Sequence, residues 1–147
     1  MTKESDWAWL AGFYDGEGHC SCRDRTGNSH LPKYRSPRSI VLCINQHHPE
    51  VLQRCIEITQ SGVFYQITKT RPSYSKLKGQ YTSYSWRCGA RNDVLFVLSG
   101  IWPWIGSVKK AQAALAVKQH TELDPKQLDV VPGFIIDWLR INEEKER

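Results

Sequence analysis

What the chain has little of narrows it first. Its five cysteines include no C-x₂₋₄-C knuckle, so the usual zinc signature is missing, and neither "HCSC" nor the pair His47–His48 supplies one. Their odd number, the lack of disulfide-like spacing and the lack of a secretory leader predict a reducing intracellular setting, a bacterial or phage cytoplasm or an organelle. No apolar run approaches the roughly 18 residues of a membrane span, which sets a membrane aside as a partner. No internal repeat and no linker divides the 147 residues, so one domain over 1–147 is expected. Acid is scarce in the middle: His19 to Arg91 holds three acids against twelve Lys and Arg, while the rest holds twelve acids and eight basic residues. That imbalance predicts a face for a polyanion, with a merely solvated basic surface as the plainer alternative.

Ser5 or Asp6 caps a predicted helix that runs through "WAWLAGFYD" and stops near Gly16–Gly18. In "HCSCRDR" the cysteines Cys20 and Cys22 alternate with Ser21, Arg23 and Arg25, the period of a strand with one basic face. "SIVLCINQ" reads as a second strand, with Ile40, Leu42 and Ile44 toward a core and Ser39, Val41, Cys43 and Asn45 opposite. "HPEVLQRCIEITQ" has helical spacing and a first-turn Pro49. "GVFYQITKT" is a strand whose inward parity the residues leave open, and "SYSWRCG" sets Tyr84, Trp86 and Cys88 against Ser83, Ser85 and Arg87. "DVLFVLSGIWPWIG" reads as a helix broken by Gly100 and Pro103, followed by the helices "SVKKAQAALAVKQH" and "PGFIIDWLRINEEKE". The order predicts an α+β fold, αββαββα, with one antiparallel four-stranded sheet, helices on one face and additional C-terminal helices.

The stretch "LAGFYDGEG", residues 10 to 18, is the most specific feature. Residues four apart share a helix face, so Ala8, Gly12 and Gly16 form a small-residue stripe with Ala11 and Asp15 beside it. Glycine weakens a helix interior by about 0.5–1 kcal/mol against alanine, a cost that a closely approaching second backbone offsets. With one such helix per chain, the simplest partner is a second copy. Two-fold symmetry then brings two Glu17 carboxylates together, which suits a shared divalent cation and phosphodiester cleavage. The alternative is a buried helix with a glycine C-cap and a surface glutamate.

"LAGFYDGEG" resembles the signature of the LAGLIDADG homing endonucleases, and the element order is similar to theirs over roughly the first 120 residues. In that family one-motif members are homodimers whose signature helices pack at the two-fold axis. Two four-stranded sheets form a saddle over DNA and cut both strands of a long, nearly palindromic site, leaving short 3′ overhangs. The resemblance implies a magnesium or other divalent ion held at Glu17, with Gly16, where the family more often has aspartate. It places Asp15 on a structural acid, Gln46 on a residue that holds active-site water and Lys109 on a basic residue near the scissile phosphate. Lys110 is a rival to Lys109, and Gln46 has the plainer reading of a helix cap. A position often basic in the family falls near Glu50, which His47, His48 or Arg54 would have to replace.

A strand pair fits the major groove and presents side chains in register with base edges. Candidate readers are Arg23, Arg25 and Arg87 with Ser21, Ser39, Asn45, Ser83 and Ser85, and Val41 and Cys43 for thymine methyl groups. Lys33, Arg35, Arg38, Lys69, Arg71, Lys76 and Lys78 are expected in connections, on phosphates. Trp102, Trp104 and Trp138 are expected in the core, whereas Tyr34, Tyr65 and Tyr74 are left unassigned. The expected partners are double-stranded DNA and a second copy, with no small-molecule substrate. The rival function is a non-cleaving nucleic-acid binder, an RNA maturase or a DNA-binding regulator.

Overall fold

The computed structural model describes residues 3–24, 38–123 and 131–145. Arg25, Lys33, Tyr34 and Arg35 lie outside the described residues, and only the backbone of Arg38 is described. The elements are α1 (Glu4–Glu17), β1 (Gly18–Asp24), β2 (Arg38–Gln46), α2 (Pro49–Thr59), β3 (Val63–Thr70), β4 (Gln80–Cys88), α3 (Arg91–Ile101), α4 (Ser107–Leu123) and α5 (Gly133–Lys145). The four strands form one sheet in the order β1-β2-β4-β3, antiparallel throughout. No helix among the described residues is long and apolar enough to cross a membrane.

The first helix starts earlier than Ser5 or Asp6 as N-cap would have it. Lys3 is the N-cap, and Asp6 serves from the third helical position by accepting the Lys3 backbone N–H at 3.3 Å. Glu4 and Asp6 in the first turn also suit the positive end of the helix dipole. At the other end α1 runs into β1 with no loop: the N–H of Gly18, the first strand residue, donates to the Tyr14 carbonyl.

The core lies between the sheet and the helices. Cys20, Ile40, Leu42, Ile44, Trp86 and Cys88 are buried on one face of the sheet, as the alternation predicts, against Leu10, Ala11 and Tyr14 of α1, Leu52 and Cys55 of α2 and Val94, Val97 and Leu98 of α3. Ala113, Ala114 and Val117 of α4 join the same cluster. The Trp86 indole donates to the Ser61 carbonyl at 2.9 Å, which ties the α2–β3 turn to the core. Of the three tryptophans expected inside, Trp102 is buried beside Phe134 and Trp138 packs against the core, but Trp104 is exposed. None of the five cysteines, all within the described residues, is in a disulfide, and burial pushes the Cys20, Cys55 and Cys88 thiols up to about 12.

Gly100 does not break α3, contrary to the sequence expectation. The helix passes through it to Ile101 and stops before Pro103. A methyl at Gly100 would fall 2.3 Å from Cε3 and Cζ3 of Trp7, whose ring also meets Phe96 edge-on at 5.6 Å. The glycine is therefore the space in which α1 lies against α3. Gly100→Ala should lower stability in urea unfolding by about 1–3 kcal/mol, the usual cost of overpacking. In a Trp7→Ala background the same change should instead add about 0.5–1 kcal/mol of helix propensity. A stability gain in the parent would contradict this packing.

Candidate nucleic-acid interface and active site

The strand register sorts side chains onto the face opposite the core. His19, Ser21 and Arg23 of β1 stand across from Cys43, Val41 and Ser39 of β2. Cys43 and Asn45 stand across from Arg87 and Ser85 of β4, and those two from Val63 and Tyr65 of β3. Pairing with β4 also settles the parity of β3: Val63, Tyr65, Ile67 and Lys69 share this open face. No acid occupies an open-face position of the four strands.

Several predicted readers are where the alternation puts them. Arg23 and Asn45 are exposed, and Ser21, Ser39, Val41, Ser83 and Arg87 are partly so. Two are not surface groups at all. Ser85 is fully buried beneath the Arg87 side chain, whose Nε donates to its Oγ at 3.0 Å. Cys43 is only 3 % exposed because the His19 ring lies over its sulfur, 3.3 and 3.4 Å from the two ring nitrogens. Lys69 and Arg38, expected in connections, are instead strand residues: Lys69 is exposed opposite Tyr81, and Arg38 opens β2 opposite Asp24. Arg71, Lys76 and Lys78 do lie in the β3–β4 connection, with Arg71 over the Tyr81 ring at 5.0 Å and Lys78 donating to the Ser73 carbonyl at 3.0 Å. The expected alternation assigns neither His19, Val63 nor Ile67 to this face, and it leaves Tyr65 unassigned. His19 shares the Ser21–Arg23 parity and was within its reach, whereas the β3 residues needed the pairing partner.

The second feature is the junction of α1 and β1. Three groups spaced by three residues on and just before α4 reach it. The Gly106 N–H donates to Asp15 Oδ1 at 2.9 Å, Lys109 Nζ donates to the Gly18 carbonyl, and Gln112 Oε1 accepts the Cys20 N–H at 3.2 Å. The Tyr14 ring lies so close to the Gly18 backbone that a methyl there would stand 2.1 Å from Cδ2, and the Lys109 ammonium sits 6.0 Å from that ring's centre. Lys110 goes elsewhere, over the Trp102 ring at 5.6 Å. Glu17, the last residue of α1, is exposed at this junction. Ile44 pairs with Gly18, so Gln46, which ends β2, lies at the same end of the sheet.

Glu50 is exposed in the first turn of α2. Arg54 does not stand in for a basic group there: it covers the Trp9 ring at 4.0 Å, with Nη2 4.0 Å from Asp6. His47 is turned to the Tyr81 ring at 6.4 Å, and His48 is the exposed N-cap of α2. On α1, Gly12 and Gly16 are exposed, with no neighbour among the described residues within 4 Å of where a methyl would project, and Ala8 is half-buried. Ala11, expected beside that stripe, is fully buried in the chain's own core and has no surface to offer. Among the described residues, no group of three or more His, Cys, Asp or Glu is placed to hold a metal ion.

No protein-family model matches the chain, and no curated protein matches it. Solved structures do. The homing endonuclease I-CvuI, in complex with its target in the presence of 2 mM Ca, superposes with a TM-score of 0.58 at 20% identity over 84% of this chain and 71% of that one. The LAGLIDADG meganuclease I-AabMI, bound to uncleaved DNA, gives 0.57 at 17% identity over 84% of this chain, which spans only 38% of I-AabMI. The archaeal intron-encoded homing endonuclease I-Vdi141I, complexed with DNA, gives 0.50 at 13% identity over 92% and 97%. The chain therefore has the fold of the LAGLIDADG homing endonucleases.

His19 reports on this geometry. Burial, and then the positive charges of Lys109, Arg23 and Arg87, hold its imidazole below the ordinary value of 6.5. A nearby cation disfavours the imidazolium, so removing one must raise the midpoint. An NMR pH titration should place the His19 midpoint below 6.5, and Lys109→Met should move it upward. A midpoint above 6.5, or one indifferent to Lys109→Met, would contradict the placement of Lys109.

Proposed function

We propose that the chain is a site-specific DNA endonuclease of the LAGLIDADG kind, hydrolysing phosphodiesters as a homodimer with a divalent metal. The observation that carries this reading is one arrangement. Glu17 ends a helix whose outer face exposes Gly12 and Gly16, and that helix continues directly into a sheet whose strands carry cations and no acid on their open face, with Asp93 of α3 at the groove beside Arg23 and Arg87. The fold shared with DNA-bound endonucleases supports it.

The open face is the binding surface, with Arg23, Arg87 and their neighbours against base edges and Lys76 and Lys78 on phosphates. Gly12 and Gly16 let the equivalent helix of a second copy approach, which brings two Glu17 carboxylates to one seam. The donor set fits a hard cation, since the carboxylate is exposed and Asp15 is already committed to Gly106. Glu17 with Gly16, from both copies, would hold magnesium, which when bound supplies charge stabilisation and water activation for phosphodiester hydrolysis. Lys109, held at the junction, offers a positive charge to the scissile phosphate, and Gln46 a hydrogen-bonding group to the attacking water. Water adds to phosphorus as the P–O bond to the sugar breaks.

Glu50, with Arg54 drawn away to Trp9, favours a second reading in which the protein binds nucleic acid without cutting. One experiment separates them. Sites selected from a randomised duplex library are placed in a plasmid and incubated with magnesium. The parent should cut both strands, and Glu17→Gln should bind yet cut at least about a hundredfold more slowly, a barrier increase of roughly 2.7 kcal/mol. Undiminished cutting by Glu17→Gln would overturn the metal assignment. Tight binding without cutting by the parent would favour the non-cleaving reading.

A further inference from the structure

Arg87 and Ser85 belong to the same face but differ in kind. Ser85 has no exposed surface and so cannot touch a base, yet its hydroxyl oxygen accepts the Arg87 Nε–H at 3.0 Å. The guanidinium carbon lies 5.6 Å from the centre of the Tyr65 ring, which stands directly across from Ser85 on β3. Arg87 and Tyr65 both line a groove of about 590 Å³ whose other walls include Arg23, Ser39, Val41, Val63 and the acid Asp93. A guanidinium has five donors, and with Nε engaged the two terminal nitrogens remain for a ligand. That end-on fork matches the O6 and N7 acceptors of guanine in the major groove, while a side-on approach through Nε is closed. A fork already held also loses less freedom on binding.

We propose that Ser85 is a positioning residue which, with the Tyr65 ring, fixes Arg87 to read guanine at one symmetric pair of positions in the DNA site. This rests on the open face being the DNA-binding surface of a homodimer. Ser85 acts only through Arg87, and Arg87 carries the recognition.

The test is selection by binding from a randomised duplex library in calcium, so that cutting is not required, with melting curves to confirm folding. The parent should enrich guanine at one symmetric pair by about 5- to 150-fold, the range of a bidentate contact. Arg87→Lys should retain the salt dependence and lose that preference. Ser85→Ala should weaken the same preference several-fold, leave the other positions unchanged and add nothing in an Arg87→Lys background. Tyr65→Leu provides a second variant with the same expected partial relaxation, should Ser85→Ala fold poorly. The proposal is overturned if Ser85→Ala shifts preference in the Arg87→Lys background, shifts it at many positions, or leaves it intact in the parent. A parent that enriches no DNA defeats the endonuclease reading, and this one with it. A parent with a defined site but no guanine lost in Arg87→Lys overturns this proposal alone.

Discussion

Because α1 passes into β1 without a loop, the end of the helix and the first residues of the sheet are positioned together. Tyr14 packs on the bare backbone of Gly18, and α4 fastens the junction through Asp15, the Gly18 carbonyl and the Cys20 N–H. Because Gly18 also pairs with Ile44, the junction sets the register of β1 on β2. A slip of one residue would turn His19, Ser21 and Arg23 inward and bring Cys20 and Cys22 outward. One contact region thus decides both where Glu17 emerges and which side chains form the open face.

The two sides of α1 use small residues for opposite ends. Ala11 faces inward, where the chain's own core leaves it no exposure. Gly12 and Gly16 face outward, with no described neighbour outside their own helix within 4 Å of where a methyl would project. Nothing among the described residues offsets their helix-weakening cost of about 0.5–1 kcal/mol each. By contrast Gly100 is accounted for by Trp7, and Gly18 by Tyr14. The proposed second copy against α1 would supply the packing that the exposed pair lacks.

Much of this was legible in the sequence. Alternation assigned the faces of β1, β2 and β4, because each has an apolar set buried on one side. It failed on β3, where Phe64 and Ile67 sit on opposite faces and neither is fully buried, so only pairing with β4 settles the parity. It also could not show that open-face residues cover one another. Ser85 lies under Arg87 and Cys43 under His19, and such cross-strand or i, i+2 cover depends on side-chain placement rather than period. Gly100 looked like a breaker because propensity is local, whereas its reason, Trp7, is distant in sequence. The choice between Lys109 and Lys110 was likewise a matter of where α4 meets the junction.

On the proposed function, the exposed glycine face of α1 joins two copies. Sedimentation velocity of the protein at micromolar concentration, without DNA, decides whether it does. The parent should sediment as a dimer. Gly12→Leu, whose β-carbon would meet no neighbour among the described residues, should fold and sediment as a monomer. A parent that is folded and monomeric at that concentration would contradict the account.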